Sequence, residues 1–282
     1  MMIFNKKVDL QSHLERFCSS NSTIGFVPTM GALHNGHLSL LKKSLENNSI
    51  TVVSIFVNPT QFNNPEDLEK YPRTLENDVK KVHSISDKIL IYAPTVEDIY
   101  EGKSKSLHYN FDGLENQMEG KFRPGHFDGV GTVVKKLFEI VKPTFAYFGE
   151  KDFQQLQIVR KLVEKEKLAV TIIGCPIFRE KNGLAMSSRN ELLTKEEREK
   201  SSIIFKTLKE AKINFATKSA KKVTDIVTKV FKNNPIFELE YFEIADESTL
   251  QTCNRKSKNK KYRAFIVVFI NKIRLIDTIS LN

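Results

Sequence analysis

The chain of 282 residues has no tryptophan, only three cysteines and no long apolar run. Its longest uninterrupted apolar stretch, residues 264–270, falls far below the roughly 18 residues of a membrane span, so no membrane helix is expected. Cys18, Cys175 and Cys253 are odd in number, far apart and outside any metal-ligand spacing. That argues against a disulfide framework or a zinc site and favours reduced thiols. The first ten residues, MMIFNKKVDL, lack the apolar core of a signal peptide, which makes a cytoplasmic location the expectation. What remains is ordinary for a water-soluble globular protein: 40% hydrophobic and 28% charged residues, in a chain long enough for two domains.

The net charge of +10 is unevenly placed. Residues 1–177 carry 22 Lys and Arg against 21 Asp and Glu, whereas residues 178–282 carry 22 against 13. Such an excess could attract nucleic acid or an anionic metabolite. The densest basic segment, NRKSKNKKYR at 254–263, lies between two strand-like runs, where lysines ordinarily form a solvated hairpin tip that protects a sheet edge. No nucleic-acid partner and no membrane partner is therefore expected.

Short β-branched or apolar runs recur at residues 24–28, 51–57, 88–92, 145–148 and 169–175. Between them lie helix-period sets: Leu38, Leu41 and Leu45; Leu75, Val79 and Val82; Val133, Val134, Leu137 and Val141; Phe153, Leu156, Val159 and Val163. This alternation predicts an α/β fold with a doubly wound, Rossmann-like, mainly parallel sheet, whose ligands bind beyond the carboxyl ends of the strands. After Thr194 the pattern changes. Thr194 and Glu197 fit a capping box opening a long helix to about residue 216, a second helix covers 220–232, and strand-like runs follow at 237–245, 263–270 and 272–279. The expectation is a first domain over 1–177 and a smaller α+β C-terminal domain over 178–282.

The stretch 25–41, GFVPTMGALHNGHLSLL, packs a strand, a glycine-bearing turn with two histidines and the start of an amphipathic helix into one segment. Amides opening a helix lack intrahelical partners, and the helix dipole puts partial positive charge there, so phosphate is favoured. Gly31 and Gly36 allow close backbone approach, and His34 and His37, three apart, can face the same ligand. The His-x-Gly-His spacing resembles that of the nucleotidyltransferases that move AMP or CMP onto an acceptor. The fuller string, Pro28 to His34 followed by Gly36 to Leu40, resembles the N-terminal signature of the pantothenate synthetase family.

Four later loops bear on that resemblance. Asn58-Pro59-Thr60-Gln61-Phe62 reads by itself as a polar turn, and as the family's NPxQF motif by resemblance. The tract Leu75-Glu76-Asn77-Asp78 could bring an acid toward magnesium or cap a helix. Between residues 94 and 128 there is little periodicity, which suggests an excursion over the mouth of the site. It closes on Arg123-Pro124-Gly125-His126-Phe127-Asp128-Gly129-Val130, either a helix-entry turn or an anion loop, and similar to the family's RPGHFDGV. Gly149-Glu150-Lys151-Asp152 with Gln154 and Gln155 could be a mobile turn, and resembles the family's ATP motif GEKDxQQ. Ser187, in Gly183 to Asn190 (GLAMSSRN), could simply cap a helix, but the string resembles the family's counterpart of the mobile KMSKS loop of the wider superfamily.

The resemblance implies ATP-dependent ligation of pantoate to β-alanine through a pantoyl adenylate, with Mg²⁺, by a homodimer whose C-terminal domain forms a lid. It assigns catalysis to His34, His37, Lys151, Ser187, Ser188 and Arg189. ATP would be held by Met30, Gly31, Ala32, Leu33, His34, Asn35, Gly36 and His37, by Gly149, Glu150, Lys151 and Asp152, and by Phe178, Met186, Ser187, Ser188 and Arg189. Phe178 departs from the family's usual valine. Gln61 and Gln155 would hold pantoate, Asn58 would line the same substrate pocket, and Arg123 is a candidate phosphate contact on the substrate side. Another adenylyltransferase, a class I aminoacyl-tRNA synthetase fragment, or a binding module with a degenerate site would share the histidine motif; the synthetase should carry a tRNA-binding module, for which the chain is short.

Overall fold

The computed structural model describes residues 2–17 and 22–282; Cys18 lies outside them. Cys175 and Cys253 are buried and not disulfide-bonded. The chain divides into two compact units, Met1–Gly149 with Gln155–Cys175, and Glu150–Gln154 with Pro176–Asn282.

In unit 1 six strands, β1 (Met2–Phe4), β2 (Ile24–Thr29), β3 (Ile50–Ile55), β4 (Leu90–Tyr92), β5 (Phe145–Gly149) and β6 (Thr171–Cys175), form one parallel sheet in the order β1-β4-β3-β2-β5-β6. This is the doubly wound α/β arrangement that the alternating pattern predicts. β1 has no counterpart among the expected strands, because three partly exposed residues carry no period. The connecting helices are α1 (Lys7–Glu15), α2 (Asn35–Asn47), α3 (Pro65–Lys70), α4 (Leu75–His83), α5 (Val96–Tyr100), α6 (Met118–Phe122), α7 (His126–Val141) and α8 (Phe153–Lys165), the last beginning in unit 2. One core gathers Val27, Val53 and Ile91 from the strands with Leu40 and Leu41 of α2 and Val82 of α4.

The winding direction reverses between β2 and β5, which are neighbours although far apart in sequence. Ligands bind at such a switch point in open α/β sheets. The ladder there is short: β2 pairs with β5 only at Gly25↔Phe145 and Phe26↔Ala146, against six registered pairs with β3. Pro28, which has no amide hydrogen to give, follows two residues after the ladder stops. The carboxyl end of β2 is thus released from β5 where the two-histidine turn begins.

Unit 2 has helices α9 (Lys195–Lys200), α10 (Ser202–Thr217) and α11 (Ala220–Lys232) and an antiparallel sheet β7-β8-β9 of β7 (Phe237–Asp246), β8 (Tyr262–Ile270) and β9 (Ile273–Ser280). Its own core includes Leu208, Val223, Phe231, Phe237 and Ile266. The Thr194–Glu197 capping box is present, with reciprocal bonds of 3.2 and 2.8 Å. The single long helix expected after it is instead two, divided at Ser201. The Ser201 hydroxyl donates to the Glu197 carbonyl at 2.7 Å, and such back-bonding within a helix competes with the regular ladder. Among the described residues no helix is long and apolar enough to cross a membrane.

Candidate active site

The two-histidine turn leaves β2 through Thr29, whose hydroxyl donates to the Ser54 carbonyl at 2.7 Å and accepts from the Gly31 amide at 3.2 Å. Gly31 takes φ +83°, and a Cβ there would lie 3.1 Å from both Asp78 Oδ2 and Ile55 Cγ2, so glycine serves both the conformation and the space. Ala32 follows at φ +48°, a left-handed setting costly for a residue with a side chain. The cost is offset by Asp78 of α4, which is fully buried. Its Oδ2 accepts from Ala32 N at 2.9 Å, its Oδ1 from Leu33 N at 2.7 Å, and Thr74 Oγ1 donates to Oδ2 at 3.2 Å. Lys81, one turn further along α4, donates to the Leu33 carbonyl at 2.5 Å. The acid of the 75–78 tract therefore pins the turn, its two oxygens already engaged by backbone amides and a hydroxyl.

His34 is the N-cap of α2 and His37 its third residue. Gly36 N donates to His34 Nδ1 at 3.1 Å, and His34 N donates to His37 Nδ1 at 3.3 Å. A ring nitrogen that accepts from an amide must present a lone pair, so each imidazole carries its proton on Nε2. The rings stack with centroids 4.0 Å apart and planes 26° apart. The turn thus offers Nε2–H donors and the opening amides of a thirteen-residue helix, an arrangement suited to an anion.

Next to the turn lies the Asn58–Gln61 loop. Asn58 is 1% exposed. Its Nδ2 donates to Gln61 Oε1 at 3.0 Å and to the Gly129 carbonyl at 3.2 Å, and its Oδ1 accepts from Tyr100 OH at 2.6 Å and Thr60 Oγ1 at 3.1 Å. Gln61 Nε2 reaches Met30 Sδ at 3.2 Å. The start of α7 crosses this loop so closely that a Cβ on Gly129 would lie 2.4 Å from the Thr60 carbonyl oxygen. The buried His126 donates from Nδ1 to the Gln61 carbonyl at 2.8 Å, which leaves Nε2 to accept from Arg123 Nη1 at 3.2 Å; Arg123 Nη2 also donates to the Gln61 carbonyl at 3.3 Å. The structure therefore brings Asn58, Gln61, Arg123 and Met30 together, with Tyr100 and His126 holding them. Burial pushes the Tyr100 phenol upward from its ordinary value, so it remains a hydroxyl donor. Gln155 is half-buried near the start of α8. At Gly149 a Cβ would meet no atom within 4 Å among the described residues, so there is open room at the end of β5.

In unit 2, Lys151 lies 3.4 Å from Asp152 Oδ2. Glu150 accepts at 3.1 Å from Arg263 of β8, which is 5% exposed, pairs at 3.0 Å with Glu247 and lies 3.9 Å over the Phe153 ring. The Phe178–Met186 segment is a hairpin: Met186 N donates to the Phe178 carbonyl at 3.0 Å and Arg179 bridges to Ala185. The Phe178 side chain is 42% exposed. Arg179 makes a two-pronged pair with Asp277 at 2.6 and 3.0 Å and covers the Phe205 ring at 3.6 Å. Burial pushes the Asp277 carboxyl upward from its ordinary value, against the pull of that guanidinium. The hairpin delivers Ser187, Ser188 and Arg189. Ser187 Oγ accepts from Arg189 N at 3.3 Å, and buried Asn190 donates to Glu180 Oε1 at 2.7 Å and the Ala185 carbonyl at 3.1 Å. Glu180 is held in turn by Arg198 at 2.8 and 3.0 Å. Tyr100, His126, Asp277 and Arg263 escape sequence reasoning as site residues; only His126 had a local signal, its place inside the RPGHFDGV string.

A doubly wound parallel sheet whose central strand opens onto stacked imidazoles and opening amides at a helix start is an α/β fold with a site suited to a phosphate-bearing ligand. The family model for pantoate-beta-alanine ligase matches residues 2–280. Pantothenate synthetase of Flavobacterium psychrophilum is 69% identical over 282 residues, covering all of both chains, and that of Christiangramia forsetii is 52% identical over the same full lengths. The crystal structure of pantothenate synthetase from Thermus thermophilus superposes with a TM-score of 0.90 at 36% identity, covering 100% of this chain and 99% of that one. Pantoate-beta-alanine ligase from Francisella tularensis, complexed with beta-gamma ATP and beta-alanine, gives 0.82 at 36% identity over 100% and 98%. The chain belongs to the pantoate-beta-alanine ligase family, the enzymes that ligate pantoate to β-alanine.

Proposed function

We propose that the chain forms pantothenate in two steps through a pantoyl adenylate, with ATP as the activating substrate. The observation that carries this reading is the stacked His34–His37 pair, whose Nδ1 atoms are engaged by backbone amides so that both Nε2–H groups are donors. In the first step a pantoate carboxylate oxygen attacks the α-phosphorus, the P–O bond to the β-phosphate breaks, and pyrophosphate leaves. The nucleophile is already ionised at neutral pH, so this step needs placement and charge stabilisation rather than a general base. His34, His37, Lys151, Ser187, Ser188 and Arg189 supply donors to the phosphates, and His37 donates a hydrogen bond from Nε2–H toward the leaving group, stabilising its developing charge. In the second step the neutral β-alanine amine attacks the activated carbonyl carbon, the C–O bond to AMP breaks, and the proton shed by the amine passes to solvent.

In this reading Gln61 and Gln155 bind pantoate, Asn58 lines the same pocket with its amide engaged inside the loop, and Arg123 serves that loop. The segments 30–37, 149–152, 178 and 186–189 contact ATP. Among the described residues no three acidic, histidine or cysteine side chains group as a metal cage, and both Asp78 oxygens are engaged. Magnesium, which the family resemblance implies, is placed on the ATP phosphates as part of the substrate. A cytoplasmic homodimer, with the C-terminal unit as lid, is the state the family resemblance implies.

The route is tested with pantoate labelled with ¹⁸O in its carboxylate. The adenylate route leaves one labelled oxygen on AMP for every pantothenate formed. Unlabelled AMP, or ADP as the product, would overturn it.

A further inference from the structure

Tyr100, the last residue of α5, is 4% exposed and lies outside every motif in the chain, yet its hydroxyl ends in the substrate loop. Its oxygen lies 2.6 Å from Asn58 Oδ1 and 3.0 Å from Thr60 Oγ1. Oδ1 is also approached by Thr60 N at 3.4 Å, and a backbone amide can only donate. The opposite end of the same amide faces the Gly129 carbonyl, which can only accept. Asn58 therefore has a single admissible orientation, Nδ2 toward Gly129 and Gln61. That choice propagates, because Gln61 must turn Oε1 toward Asn58 Nδ2, leaving Nε2 as the end presented beside Met30, whose sulfur is a weak acceptor.

We infer that Tyr100 is a positioning residue which, by the shortest bond to the Asn58 amide, holds it in the orientation that Thr60 N and the Gly129 carbonyl dictate, and so steadies the Gln61 side chain with its N–H donor toward an acceptor oxygen of pantoate, a carboxylate or hydroxyl oxygen. The inference rests on the assignment of Gln61 to pantoate. Without the phenol oxygen, Oδ1 keeps only the longer contacts to Thr60, and the Asn58–Gln61 pair loses its shortest restraint. Packing of the ring is a separate matter: it lies 6.5 Å from the Phe56 ring and below Lys136 Nζ at 5.7 Å, and a phenylalanine would keep both contacts.

The test is Tyr100→Phe, measured with pantoate, ATP and β-alanine varied separately. One lost hydrogen bond to a positioned amide predicts a pantoate KM raised by about 10-fold, with the KM for ATP and kcat at saturating pantoate within about two-fold of wild type and the melting temperature unchanged. In a Gln61→Ala background the same change should move the pantoate KM less than about two-fold, because the side chain it orients is gone. An unchanged pantoate KM in Tyr100→Phe overturns the inference, as does an equal rise in all three constants with a lowered melting temperature, or an undiminished effect in the Gln61→Ala background. A Gln61→Ala enzyme with a normal pantoate KM overturns instead the assignment of Gln61 to pantoate, so the two failures are told apart.

Discussion

The two-histidine turn of unit 1 and the Ser187–Arg189 loop of unit 2 both present hydrogen-bond donors but are held by opposite means. The turn is held by one buried carboxylate that accepts from two backbone amides and a hydroxyl, and by imidazoles that accept from amides. The hairpin leading to the loop is framed by guanidinium–carboxylate contacts, Arg179 with Asp277 and Arg198 with Glu180. A backbone amide is a fixed dipole that side-chain substitution leaves in place. A guanidinium is a full charge whose burial is tolerable only while its partner is present. The first frame therefore rests on a carboxylate answered by backbone dipoles, and the second on charges answered by opposite charges.

The largest effect should come from breaking that balance. Arg179→Met leaves Asp277 buried without its partner and should cost about 3–5 kcal/mol in denaturant unfolding, whereas Arg179→Met with Asp277→Leu should recover most of the loss. No such second-site rescue is available at the turn. Asp78→Asn places an amide NH₂ against the Ala32 or Leu33 N–H and should cost about 1–3 kcal/mol, read as faster hydrogen exchange at those two amides. Rescue of Asp78→Asn by any single charge reversal on α4 would blur the contrast.

A smaller effect marks unit 2 in acid. Asp246 is pushed up by burial, but bonds from Ser248, Thr249 and Lys260 outweigh this and hold its carboxyl at about 2, below the ordinary 3.8. The folded state therefore favours the ionised form, and the contribution, about 2 kcal/mol, is full above pH ~4 and drains away as pH falls toward 2. In Asp246→Asn the stability difference from wild type should shrink over that window; a constant difference would contradict the assignment.

How far these frames can be read from the chain alone depends on the distance along it. The β-branched runs coincide with β2 to β6, and the 3-residue spacing of His34 and His37 marks both rings, because each pattern repeats within a few residues. The same holds for the Thr194 capping box. Ser201, which divides the expected long helix, is an ordinary helical residue until its back-bond forms. Asp78 lies 46 residues from Ala32, Tyr100 42 from Asn58, Asp277 98 from Arg179, and Arg263 113 from Glu150. No local spacing encodes such pairs, since only tertiary packing selects the partner. The donors proposed to meet the ligands were thus visible as motifs, while the residues that aim them were not.

The central claim is that the two-histidine turn stabilises transfer of the adenylyl group to pantoate. It is tested most directly by exchange of labelled pyrophosphate into ATP with pantoate but no β-alanine, comparing wild type with His37→Ala. The prediction is pantoate-dependent exchange by the wild type and a fall of about 10²- to 10³-fold in the variant, with its melting temperature unchanged. Near-equal exchange by the two proteins, or none by the wild type at saturating pantoate, would contradict it.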